Sequence, residues 1–125
     1  LANNGDMATI FRHNAASVVD GKHIKPGEHL TGSTDMGDLS HLMPAIHPYA
    51  MGATGTGHAA DYLIEDYTLA VLNPAKAMAM TVIDLLADGG EKAKEVLAKS
   101  PPRMTKAEYL KLQYGRMSEE LYEGK

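Results

Sequence analysis

The chain has 125 residues, a formal net charge of -4 and 44% hydrophobic residues. That length allows one domain with a modest core and excludes two, and the mild charge with ordinary apolar content excludes a disordered chain. Negative charge without a basic run excludes nucleic acid as the main partner, and the absence of cysteine excludes a thiol nucleophile and a disulfide scaffold.

A metal site in this chain would need histidine and carboxylate ligands. A reducing, cytoplasmic setting is the default for a chain without cysteine. No charged-then-apolar leader opens the sequence. Apolar runs such as Leu69-Ala70-Val71-Leu72 end at Asn73-Pro74, short of the roughly 20 residues needed to span a bilayer, so no membrane partner is expected. The first residue is leucine, which suggests a chain starting partway into a gene product, or a trimmed one.

In chain order, Asn4-Gly5-Asp6 is turn-like and Asp6 can cap a helix. Met7, Ile10, Phe11, Ala15 and Val18 follow at helical spacing, which predicts a helix over 6–18 with one core-facing side. Asp20-Gly21 ends it and Pro26-Gly27 makes a turn. Residues 32–40 are dense in small and acidic side chains. They read as a loop lying close to something, running into a helical turn over 36–42 that Pro44 stops. Residues 45–51 alternate weakly and read as a short strand. Residues 52–58, Gly-Ala-Thr-Gly-Thr-Gly-His, form a glycine loop, and 59–67 a connector.

Asn73-Pro74 reads as a helix start, with asparagine as cap and proline in the first turn. The helix over 75–87 is apolar on most of its circumference and should be largely buried. Gly89-Gly90 closes it. A short charged helix over 91–99 follows and Pro101-Pro102 breaks it. Thr105 with Glu108 forms a capping box opening a last helix, expected to run to Tyr122 as an outer tail.

Of the six histidines, His13, His23, His29 and His41 read as surface or packing residues. No pair shows the spacing of a helical zinc site. His58 differs because it ends a loop almost free of bulky side chains, which lets backbone approach a ligand or buried site. It can bind a divalent metal through a ring nitrogen or be purely structural. Asp35 and Asp38 can share metal or acid–base work, although capping a turn is the commoner role for aspartate beside glycine and serine. Phosphate-loop, dinucleotide-fold and serine-hydrolase motifs do not fit the glycine runs.

Gly32-Ser33-Thr34-Asp35-Met36-Gly37-Asp38-Leu39-Ser40, then Pro44-Ala45-Ile46-His47, then Gly57-His58, resembles the C-terminal half of the catalytic domain in the aminoacylase and carboxypeptidase-like metallopeptidases. The likeness covers about residues 1–88 and looks nearest to the amidohydrolases acting on p-aminobenzoyl-glutamate and related N-acyl amino acids. The resemblance implies an α/β fold, part of a three-layer α/β/α zinc-peptidase-like domain with few central, largely parallel strands. It also implies two divalent metals (Zn or Mn) that activate a bridging water for attack on an amide carbonyl. His58 matches the family's last metal ligand. Ser33, Thr34, Asp35 and Asp38 match the loop lining the substrate side, where they would contact substrate or the groups around the metal, and His47 is a weaker candidate there.

The departure from that family is large. Its other metal ligands and its glutamate base belong to earlier sequence, and nothing here matches them. One histidine does not hold a catalytic metal, so no catalytic residue is expected within these 125 residues and the chain alone should be inactive. The expected organisation is residues 1–90 as the C-terminal portion of a catalytic domain and 91–125 as a helical extension. Expected partners are the remaining N-terminal part of that domain, a small-molecule amide substrate and further copies of the chain. The alternative is a non-catalytic α/β binding or structural module.

Overall fold

The computed structural model describes residues 1–27 and 32–124. The reading of His29 lies outside them. Helix α1 spans Gly5–Ala15, with Asn4 rather than Asp6 as its cap: the Asn4 Oδ1 accepts the Met7 N–H at 2.9 Å. Asn4 also ties distant parts together. Its backbone N–H donates to the Ala45 carbonyl at 2.8 Å and its Nδ2 to the Ser100 Oγ at 2.6 Å. Met7, Ile10, Phe11, Ala15 and Val18 are all half-buried, so the expected apolar face is the packed one.

Helix α2 spans Asp35–Leu42. The expected strand over 45–51 carries no ladder. Strands β1 (Ala53–Thr54) and β2 (Leu63–Ile64) instead form an antiparallel pair inside the expected glycine loop and connector. A strand exists only by pairing. Along residues 45–51 the ties to the N-terminal segment are the Ala45 carbonyl, and the His47 N–H on the Asn3 Oδ1 at 3.0 Å. Helices with one small sheet are compatible with an α/β class. Among the described residues the sheet is antiparallel, where parallel strands were expected.

Helix α3 spans Asn73–Lys99, and a π-helical turn over Thr68–Leu72 precedes it. Asn73 is therefore inside the helix, not its cap. Asp66 serves that end, its Oδ1 accepting the Leu69 N–H at 2.9 Å. The wide turn has a cause in Pro74, which lacks an N–H and crowds the carbonyl four residues back; a π-turn relieves both problems. As expected, the glycines interrupt α3: Asp88, Gly89 and Gly90 take φ of 51°, 71° and 79°. By length and composition alone the run Thr68–Lys99 could cross a bilayer, an 18-residue window of it having a mean hydropathy of 1.4, where short apolar runs had suggested that nothing would. The left-handed break and a polar inner face both interrupt that run.

The inner face of α3 packs along α1. Asn73, Ala77 and Thr81 are buried there. Asn14 is buried opposite and donates through Nδ2 to the Asp84 Oδ2 at 2.9 Å and the Thr81 Oγ1 at 3.3 Å. Lys92, beyond the break, lies 3.9 Å from Asp84. The apolar core is small: Ala45, Ala77 and Val96 are its buried members, and no large side chain is fully buried among the described residues. The first half of α3 is therefore not largely buried, contrary to its composition. Its Asn73, Ala77 and Thr81 side is covered, and its apolar opposite side is not.

Helix α4 spans Lys106–Tyr114 and opens with the expected capping box. It stops at Gly115, well short of Tyr122, leaving Met117, Leu121 and Tyr122 at 77%, 87% and 89% exposure. A helix with no surface to bury such residues against is marginal, and glycine ends it readily. The Thr105 N–H, and next its hydroxyl, hold the Glu108 carboxyl below the usual glutamate range. A folded-state value below the unfolded one means the box supports α4 at neutral pH and is lost as pH falls through the folded value. Amide chemical shifts at Thr105 and Glu108 should show α4 fraying in acid, with the Glu108→Gln variant losing that pH dependence.

Candidate functional site

Two segments hold the candidate residues. The first is the N-terminal turn of α2. Thr34 caps it, its Oγ1 accepting the Met36 N–H at 3.3 Å, and Asp35 and Asp38 sit in the first turn, where the helix dipole favours carboxylates. Capping therefore falls to Thr34, which frees both aspartates to face outward. Ser33, Asp35 and Asp38 are exposed. Behind them, Ser40 is buried, accepts the Ala2 N–H at 3.0 Å and donates to the Gly37 carbonyl at 2.6 Å. The expected loop is thus mostly the helix itself, braced by the N-terminal strand of chain.

The second segment is the hairpin over residues 52–66. Gly52 takes φ of 107°, and its carbonyl accepts the Glu65 and Asp66 N–H groups at 2.9 and 3.0 Å. This fastens the base of the hairpin to the start of the π-turn. Gly55 takes φ of 81° and lies against the Asp61 carbonyl. At the tip, the Ala59 N–H donates to the Thr56 carbonyl at 2.9 Å, closing a turn over Gly57 and His58. His58 takes φ of 68°, the left-handed value that the third residue of a type II turn requires and glycine usually fills. Histidine tolerates this conformation better than most side chains. The imidazole is exposed, and Asp61 faces back into the turn, accepting the Thr56 N–H at 3.3 Å.

His47 lies between the segments in sequence. It is half-buried, its ring stacked on Tyr49 at 5.3 Å and 27°, and its Nδ1 is buried without a partner among the described residues. Nothing in the sequence pointed to Asn3 as the holder of its backbone, or to Gln113, whose Nε2 donates to the Asp38 Oδ1 at 3.3 Å. Those partners are 44 and 75 residues away along the chain, beyond any local pattern.

The structure brings Ser33, Thr34, Asp35 and Asp38 together on one turn. It does not bring them into a ligand group with His47 or His58. No three His, Asp or Glu side chains gather closely enough to hold a metal ion among the described residues. A divalent metal needs more than one side chain to hold it, so the residues present do not by themselves fit one. A groove of about 600 Å³ between α2 and α4, lined by Leu42, Met43, Met104, Tyr109 and Leu110 among others, is remote from His58 in sequence and contains none of the candidate residues.

Comparison with known proteins gives a partial likeness. The chain is similar to the Xaa-Arg dipeptidase of Homo sapiens, 36% identical over 61 residues, which is 45% of this chain and 14% of that protein. It is also 38% identical over 61 residues to the Xaa-Arg dipeptidase of Mus musculus, with the same coverage. The matched stretch thus spans about one seventh of the relatives' length and is consistent with a peptidase-like domain. It does not single out the p-aminobenzoyl-glutamate branch. No protein-family model matches the chain and no solved structure does.

Proposed function

We infer that this chain is part of a metal-dependent hydrolase that cleaves amide bonds in dipeptides or N-acyl amino acids, and that it is inactive alone. The observation carrying this reading is the likeness to two dipeptidases over 61 residues. Residues 1–90 would belong to the catalytic domain, one portion of a three-layer α/β/α arrangement, with 91–125 a helical extension of it. Within that reading His58 supplies one ligand to a divalent metal, Zn or Mn. A tight turn on a fastened hairpin holds its imidazole in the open, as a ligand shared with groups outside the chain requires. Residues holding a left-handed backbone outside glycine are enriched at functional sites. Asp35, with Ser33, Thr34 and Asp38, would meet substrate or the hydrogen-bonded surroundings of the metal, and His47 would contribute through its buried Nδ1. The remaining ligands and the general base must come from outside these residues.

Metal analysis of the longer gene product beside its His58→Ala variant tests this reading. The variant should lose more metal affinity than the ~10–100-fold typical for removal of an outer hydrogen-bond partner, with folding retained by circular dichroism. Unchanged metal content would remove His58 from the site. The 125-residue chain itself should show no dipeptide hydrolysis with added Zn²⁺ or Mn²⁺.

A further inference from the structure

We propose that the outward face of α3 is a self-association surface, and that its occupant is the same face of a second copy of this chain. The first half of α3 has a polar inner side and an apolar outer one. Asn73, Ala77 and Thr81, four residues apart, form the side turned to α1. About 180° away, Leu72, Ala75, Ala79, Val82 and Leu86 follow one another at spacings of three and four, the seam along which helices pair. Met78 and Ile83 flank the seam. Leu72, Met78, Val82, Ile83 and Leu86 are 52%, 54%, 53%, 64% and 65% exposed. The apolar stripe of a helix is normally the covered one.

Three features favour a second copy as the cover. The first is area: with Val71, which is 44% exposed, and the two alanines, the bare face amounts to on the order of 700 Å², close to the roughly 800 Å² each partner gives to a standard interface. The second is self-complementarity. Residues 72, 75, 79, 82 and 86 are nearly symmetric about position 79, so an antiparallel two-fold pair places Leu72 opposite Leu86, and Ala75 opposite Ile83. The two leucines then close the ends of the contact, Ile83 meets the small Ala75, and Ala79 meets Ala79 on the axis, where a small residue permits helices to approach within about 8–10 Å. The third is charge. Lys76 is the one charged residue near the seam, at its margin, where its stem can cover Val82 of the second copy while its ammonium stays in water. Pairing therefore buries no charge and sets no like charges face to face.

This pairing concerns the chain by itself: in the hydrolase reading the remaining part of the catalytic domain competes for this face, and a purified chain that stays monomeric would leave that part as its cover. The tests use the purified 125-residue chain. Sedimentation equilibrium should show a dimer, and Ile83→Glu should weaken it by about 30-fold or more, since it sets a carboxylate against Ala75 of the second copy. Leu121→Glu, on the exposed tail, should leave the dimer intact. Because the chain lacks cysteine, an Ala79→Cys variant reports the axis directly: it should crosslink to a covalent dimer on mild oxidation, while Ala98→Cys, on the second half of α3, should not. A wild-type monomer at all concentrations, a dimer indifferent to Ile83→Glu, an Ala79→Cys variant that stays uncrosslinked, or a monomer that partitions onto phosphatidylcholine vesicles through this face would each overturn the proposal.

Discussion

Gly52→Val should destabilise the chain by about 3 kcal/mol or more, combining the cost of a strained backbone with that of overpacking. The glycine holds φ of 107°, which side chains rarely adopt. A Cβ there would stand 2.6 Å from the Asp66 carbonyl oxygen, 2.8 Å from the Ala70 amide nitrogen and 3.0 Å from the Ala70 Cβ. Two of those three neighbours are backbone and belong to the start of the π-turn, so no side chain can swing away. The hairpin must lift off the helix, and the Gly52 carbonyl must give up the Glu65 and Asp66 N–H groups. His58 is carried on that hairpin, so its placement goes with it. Urea denaturation followed by circular dichroism measures the loss. A change under about 1 kcal/mol would mean that the hairpin is not fastened as described. In the longer gene product the same substitution should reduce metal content together with stability, unlike His58→Ala, which should reduce metal content alone.

Ala77→Leu should cost about 2 kcal/mol, in the range of overpacking a close contact. Ala77 is 1% exposed, the least accessible of the buried apolar residues, and lies where α1 crosses the inner face of α3. A leucine there pushes the helices apart. The Asn14 amide would then lose its Asp84 and Thr81 partners, now at 2.9 and 3.3 Å, adding the penalty of buried polar groups left unpaired. Thermal unfolding should show a midpoint lowered on the order of 8 °C. The equivalent change at the exposed Ala98, on the second half of α3, should leave the fold's stability within about 0.5 kcal/mol, so the pair separates the covered side of the helix from an open position.

The candidate site was legible only in part. Residues 32–38 announced themselves by density of small and acidic side chains, and α2 follows from Thr34 and the two aspartates in its first turn. His58 stood out because glycines surround it, and the left-handed turn it occupies agrees with that signal. The sequence reading places one metal ligand here, His58, and the other ligands outside the chain, and among the described residues the two segments do not come together as a ligand group. Those residues are separated along the chain, and nothing local encodes how an α2 turn and a hairpin tip are oriented toward one another. The orphaned Nδ1 of His47 was likewise invisible, since burial of one ring nitrogen depends on which distant segment lies over it.

Local chemistry was enough for much of the secondary structure. The periodicity of α1, the capping box at Thr105 and Glu108, and the break at Gly89-Gly90 each involve residues within one or two helical turns, where side-chain period, capping and backbone freedom act directly. Pairing and burial required the assembled chain. Residues 45–51 have strand-like alternation but no ladder, while β1 and β2 pair where glycines had suggested only a loop. Composition called for the first half of α3 to be largely buried, yet α1 covers one side. Strand formation and burial depend on a partner surface being present, and composition states only that a surface needs covering, never what covers it.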